Sequence, residues 1–206
     1  MKEYWNGIWA SPDIEKYMGY VNGYVTWKPK FLDVFAQYEV ESVCDAACGF
    51  GAYSVMLAKN GYAVSGFDIS DESVRLTQTM MEKFSCAYGA YKVCGITEIE
   101  YGDASFNAVV AHAVIDHVSL ADARAALGEL FRILTPGGLL FITFDPLGEE
   151  DINKKHEVLE DGSRLYEDGL RFRHYTDEDI KTLIGDNKII HSNTNSHGER
   201  EYILQK

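Results

Sequence analysis

Positive charge is what this chain has least of: 19 lysines and arginines stand against 32 aspartates and glutamates, a formal net charge of −13. Phosphate backbones and anionic membranes are bound by lysine and arginine displacing counterions, so neither nucleic acid nor a membrane surface is an expected partner. Cysteine is scarce too. Cys44, Cys48, Cys86 and Cys94 form no C-x-x-C pair, which argues against a metal cluster, and disulfides are not expected without a secretory signal. The N-terminus lacks the apolar core of a signal peptide, and no run approaches membrane-spanning length. Internal repeats and low-complexity linkers are missing as well. With 46% hydrophobic content over 206 residues, the expectation is one cytoplasmic domain, 1–206, with reduced thiols, no metal and a small-molecule partner.

What is present centres on Val43-Cys44-Asp45-Ala46-Ala47-Cys48-Gly49-Phe50-Gly51. A short apolar run enters a glycine-bearing turn and then a helical pattern, and a second apolar run, 62–68, ends in Asp68. Strand, glycine turn, helix, strand and acid is how open α/β sheets hold an adenosine-containing ligand. Gly49 and Gly51 let backbone approach a ligand, and the amides of the helix beginning near Gly51 favour an anion, phosphate and carboxylate alike. Asp68 can accept hydrogen bonds from ribose hydroxyls, each worth roughly 1.5–3 kcal/mol, or can cap the helix ahead of Ser70-Asp71-Glu72. The third glycine of the dinucleotide fingerprint is replaced by Ser54, and the turn is led by an acid, Asp45. An adenosine that carries an amino acid fits better, because its ammonium group needs acceptors.

From Glu41 onward apolar runs alternate with helical patterns, the mark of an α/β fold with a parallel sheet. Strands are expected at 43–46, 62–68, 90–94, 106–112 and 139–144, with helices at 51–60, from Ser70 or Asp71 to 84, and from a Ser119 cap to a stop before Thr135-Pro136-Gly137-Gly138. Thr176 with Asp179 caps a helix to about 184, and 188–192 with 199–204 reads as a closing hairpin. Residues 1–40 hold all three tryptophans. Tyr17, Tyr20, Tyr24, Trp27 and Phe31 fall at helical spacing across two expected helices, 12–24 and 27–38. They read either as a stripe packed on the sheet or as a lid over the ligand. Residues 146–175 read as a long, polar, irregular connection, the kind that shapes a site. Arg171, Arg173 and His174 there mark either an anionic acceptor subsite or a solvated surface.

In four places, in order, the sequence resembles the class I S-adenosylmethionine-dependent methyltransferases. Asp45-Ala46-Ala47-Cys48-Gly49-Phe50-Gly51 is similar to their D-x-G-C-G-x-G loop, and Phe67-Asp68-Ile69-Ser70 to their ribose-binding strand end. Asp103-Ala104-Ser105-Phe106-Asn107-Ala108-Val109-Val110 is similar to the D-x-S-F-D-x-V-x element, and Leu134-Thr135-Pro136-Gly137-Gly138 to the L-x-P-G-G turn. The resemblance implies a Rossmann-like three-layer sandwich whose seven-stranded, mostly parallel sheet runs 3-2-1-4-5-7-6 with strand 7 antiparallel. It implies S-adenosyl-L-methionine as cofactor and methyl transfer to a small-molecule acceptor. Asp45, Ala47, Gly49 and Gly51 would face the methionine part, Asp68 the ribose, and Ile69 and Ile96 the adenine. Ala111 would lie where cofactor and acceptor meet.

There are departures. Ala47 stands for the loop's first glycine, Gly95 for an acidic adenine contact, and Asn107 for an aspartate. His112 and His117, with Asp116 between them, are candidates for acceptor positioning or proton acceptance, or for a purely structural role. Two other readings stand beside the enzyme: a non-catalytic sensor of an adenosine ligand, and a nicotinamide-dependent oxidoreductase.

Overall fold

Ser42–Ala46 (β1) lies in the middle of the sheet because it alternates between two apolar faces. Val43 packs with Ala108 and Val110 on one side, while Cys44 packs with Val109 and Ala111 on the other, the period of two that a doubly covered strand requires. The computed structural model describes the backbone of residues 1–206 and every side chain except those of Glu150 and Asp151. The remaining sheet strands are β2 (Ala63–Asp68), β3 (Tyr91–Val93), β4 (Phe106–Ala111) and β5 (Leu134–Phe144). A separate small sheet holds β6 (His156–Val158), β7 (Arg164–Tyr166) and β8 (Arg171–Phe172), and β9 (Lys188–Thr194) and β10 (Arg200–Gln205) complete the main one. The main sheet runs β3-β2-β1-β4-β5-β10-β9, and β10 is antiparallel to both neighbours. Counted along the seven strands, this is the expected order with the last strand reversed.

Helices α3 (Lys30–Gln37) and α4 (Ala52–Lys59) cover one face, and α6 (Leu120–Ile133) and α8 (Asp177–Ile184) the other. Helix α5 (Asp71–Lys83) packs with α4 and α2 (Ile14–Thr26) through Met80, Met81, Val55 and Val21. The expected caps form. Ser70 and Ser119 each accept the amide three residues on, and Thr176 with Asp179 closes a full capping box. Among the described residues no helix is long and apolar enough to cross a membrane.

Several expectations are corrected. Residues 146–175 are not irregular. They form a short helix, α7 (Glu149–Asn153), and the β6-β7-β8 sheet, whose strands of two or three residues are too short to show periodicity. A helix not anticipated, α1 (Lys2–Trp9), precedes the aromatic pair of helices, and none of its side chains is fully buried. The second aromatic helix begins at Lys30 rather than 27, because Pro29 sits outside it as the cap. Strand β5 begins at Leu134, pairing Leu134 with Phe106 before a register shift carries it past Pro136.

Asn107 has a structural reason of its own. Its side-chain oxygen accepts from the Glu41 amide at 3.3 Å, the Ser42 amide at 3.1 Å and the Ser42 hydroxyl at 3.0 Å, which fixes β1 against β4. Asn107→Ala is expected to cost about 1–3 kcal/mol, read as a lower urea midpoint with an unchanged slope.

Candidate active site

The turn after β1 takes its shape from three left-handed residues at alternate positions. Ala47 has φ 60°, Gly49 φ 55° and Gly51 φ 85°. Ala47 therefore holds, with a Cβ, a conformation that costs a non-glycine residue about 1–2 kcal/mol. The Cys48 amide donates to the Phe67 carbonyl at 3.0 Å, tying the turn to the end of β2. On the outer side, the Ser73 and Thr77 hydroxyls of α5 donate to the Gly49 carbonyl at 2.7 and 3.0 Å. Gly51 caps α4 and lies against α5, where an added Cβ would come within 3.0 Å of the Thr77 Cα. No side chain caps α4, so the first amides of that helix keep their capacity for an anion.

Asp68 is drawn into the same turn. One carboxylate oxygen accepts the Gly49 amide at 3.0 Å and the other the Ser70 amide at 2.9 Å. Burial raises its pKa, against the pull of those two bonds. Asp45, at the end of β1, accepts the Ser54 hydroxyl at 2.5 Å. Burial pushes its carboxyl up to about 6, opposed first by the Ser54 bond and then by His112.

These groups open onto a cavity of about 330 Å³, lined on the cofactor side by Asp45, Ala47, Gly49, Asp68, Ile69 and Ile96. His112 and His117 line it at the far end, and Trp5, Trp9, Tyr24, Phe50 and Tyr53 supply aromatic walls. Two other anticipated residues do not reach it. Gly51 is spent on the helix cap, and Ala111 is wholly buried in the sheet core beneath His112 in sequence. Gly95 stands between two lining residues, Cys94 and Ile96, and a Cβ there would meet nothing within 4 Å. Phe50 and Tyr53 were not anticipated. Phe50 sits between the two glycines of the turn and Tyr53 at an ordinary helical position, so neither carries a local signal.

The wall is assembled around Phe50, whose ring centroid lies 5.1 Å from Tyr17, 6.1 Å from Trp9 and 6.4 Å from Tyr24. Helix α1 is held by polar contacts rather than by burial. Asn6 accepts the Ser70 hydroxyl at 2.6 Å and donates to Asp71 at 3.2 Å, and Lys2 pairs with Asp71 at 3.2 Å. Within the aromatic N-terminus, α2 packs on α4 and α5 rather than directly on the sheet, while Trp5 and Trp9 of α1 and Tyr24 of α2 line the cavity.

At the far end the His112 ring lies 4.5 Å from Tyr53, and its Nε2 is 3.0 Å from Glu199 Oε1. His117 donates from Nδ1 to the Arg171 carbonyl at 2.9 Å and meets Trp5 edge-on at 5.2 Å. Asp116 lies below, fully buried and away from the cavity lining, its carboxyl pushed well above the usual range by burial and then by Asp145. Arg171 pairs with Asp161 at 2.9 Å and Arg173 with Asp179 at 3.4 Å, and neither lines the cavity. Their charge holds the small sheet together, and the anionic subsite considered from sequence is not built from them.

Residues 44–142 match the model of a methyltransferase domain family. An uncharacterised methyltransferase of Mycobacterium bovis is 32% identical over 111 residues, 54% of this chain and 54% of that protein. The chain thus spans about half the length of this curated relative. A solved S-adenosylmethionine-dependent methyltransferase of Methanosarcina mazei superposes with TM-score 0.70 at 24% identity, covering 84% of this chain and 96% of that one. Magnesium protoporphyrin IX methyltransferase of Synechocystis, solved with bound S-adenosylmethionine, superposes with TM-score 0.64 at 19% identity over 99% of this chain and 90% of that one. The matched stretch and the sheet order together mark residues 44–142, just under half of this chain, as a methyltransferase domain of the class I S-adenosylmethionine-dependent type.

Proposed function

We propose that the protein transfers the methyl group of S-adenosylmethionine to a small-molecule acceptor. The observation that carries this reading is one cavity in which two strand-end carboxylates, an uncapped helix start and an aromatic wall converge. The donor set suits each part of the cofactor. Asp45 is an acceptor for an ammonium group, the α4 amides for a carboxylate, and Asp68 for ribose hydroxyls, while Ile69 and Ile96 offer apolar faces to a base. When bound, the cofactor supplies a methyl group on a positively charged sulfur, a charge that disappears on transfer. Tyr24, Phe50, Tyr53, Trp5 and Trp9 exclude water from the far end and hold cationic charge by their π-faces. They orient an acceptor against that methyl group, and orientation is the larger part of such catalysis. The β6-β7-β8 sheet acts from behind: Arg171 in β8 fixes the His117 ring through its carbonyl.

Titration with S-adenosylhomocysteine and, separately, NAD tests this. S-adenosylhomocysteine at a hundredfold over its Kd is expected to stabilise the protein by about 2.7 kcal/mol, seen as a raised Tm, with no response to NAD. A shift with NAD and none with S-adenosylhomocysteine would overturn the reading.

A further inference from the structure

Outside the cofactor half, a half-buried pairing of a histidine with a carboxylate is unexplained. His112 follows β4 and lines the cavity, whereas Glu199, which does not line it, immediately precedes β10 and faces His112 Nε2 at 3.0 Å. The carboxylate is built into place. Thr143 accepts the Ala113 amide at 3.0 Å, which leaves its hydroxyl proton to Glu199, and Asn195 donates to Glu199 at 2.7 Å. Burial alone would raise the Glu199 pKa, but the bonds from His112, Thr143 and Asn195 carry it below the usual glutamate range. The negative charge of the group therefore rests on Glu199, while burial and then that charge push Asp145 up. Tyr24 and Tyr53 face the pair from α2 and α4 and Asp45 from β1, while Glu201 of β10 lies next to it against Tyr53 and Asn195. No lysine or arginine lines the cavity among the described residues.

On the methyl-transfer reading above, we infer that His112, held by Glu199, takes a proton from the acceptor, and that the acceptor is a neutral hydroxyl on a flat conjugated scaffold. Three carboxylates, Asp45, Asp68 and Glu199, surround the cavity and no lysine or arginine side chain lines it among the described residues, so a preformed phenolate or carboxylate is disfavoured and the proton leaves during the reaction. A carboxylate accepts only from N–H, so Glu199 fixes the ring proton on Nε2 and leaves the lone pair of the neutral ring on Nδ1. His112 Nδ1 takes the hydroxyl proton as the oxygen's electron pair bonds to the methyl carbon and the carbon–sulfur bond breaks, its pair staying on sulfur. Glu199 then balances the imidazolium until that proton passes to water. His117 is not equivalent, because its ring proton meets a neutral carbonyl. The aromatic walls and the tilted Tyr53–His112 ring pair suit a planar guest. Glu199 is thus a positioning residue and His112 the catalytic one.

The test uses the whole chain in four readings. Calorimetry with S-adenosylhomocysteine comes first; no binding sinks the methyl-transfer reading itself, whatever the pair does. Given binding, ¹⁵N NMR of ring-labelled protein should find the neutral His112 protonated at Nε2, a preference that Glu199→Leu abolishes. Labelled S-adenosylmethionine is then offered catechol, benzoate and thiophenol, and label should enter catechol as a methyl ether. Glu199→Gln should lower kcat on catechol by about tenfold to a hundredfold and change its pH profile, with S-adenosylhomocysteine affinity unchanged and partial recovery in Glu199→Asp. A neutral His112 protonated at Nδ1, label in benzoate or thiophenol or in none of the three, or a Glu199→Gln enzyme as active as the parent overturns the inference.

Discussion

Asp45→Asn is expected to make the ligand-free protein more stable at pH 8 and to weaken its hold on S-adenosylmethionine. The cause is a carboxyl whose pKa rises from 3.8 to about 6 on folding, mainly through burial. Below the lower value both folded and unfolded states carry the proton, and the group is neutral to stability. Between the two, only the unfolded chain ionises, so stability falls as pH rises. Above the folded value the full penalty applies, about 3 kcal/mol. The amide carries no charge and can still accept the Ser54 hydroxyl, so denaturation curves of parent and variant should converge near pH 4 and separate towards pH 8. Binding should run the other way. A cofactor ammonium pairs with the ionised acid, so affinity of the parent should tighten as pH rises through about 6, and the variant should lack that step. Equal stability at pH 8 would show that the acid carries no such penalty.

Asp68→Ala should cost more on the binding side. Its two oxygens already receive the Gly49 and Ser70 amides, and each oxygen retains a second lone pair for a ribose hydroxyl. Removing the carboxylate therefore loses two ligand contacts and leaves two amides of the turn without their partner. Affinity for S-adenosylhomocysteine should drop by about 2–4 kcal/mol, roughly 30- to 1,000-fold. The stability of the ligand-free protein should fall by about 1–3 kcal/mol from the unpaired amides. Asp68→Asn keeps one acceptor and should fall between. Calorimetric affinity equal to that of the parent would remove Asp68 from the site.

The cofactor half was readable from sequence because it is local. Asp45 to Gly51 and Phe67 to Ser70 are contiguous stretches whose spacing is set by a strand, a turn and a helix start, and both came with a recognisable order of downstream motifs. The order of the sheet followed from the same alternation. The acceptor half was not readable, because it is assembled from distant pieces. Glu199 meets His112 only after β5, the small sheet, α8 and β9 have been laid down. Tyr53 faces the cavity only because α4 starts where Gly51 places it. Helix α1 escaped notice because polar contacts hold it, and the two arginines before α8 looked like a charge cluster because their acidic partners, Asp161 and Asp179, lie elsewhere along the chain.

The way the small sheet is attached bears on how such a protein could change. His117 is fixed by the carbonyl of Arg171, and the Arg173 amide donates to the Asp116 carbonyl at 2.7 Å. On the β8 side of that seam both atoms belong to the main chain, which every residue except proline supplies in the same form. Side chains along β6, β7 and β8 other than Arg171, which is tied to Asp161, can therefore be exchanged while the seam keeps its register. Such exchanges fall behind the cavity wall, because no residue of β6, β7 or β8 lines the cavity among the described residues.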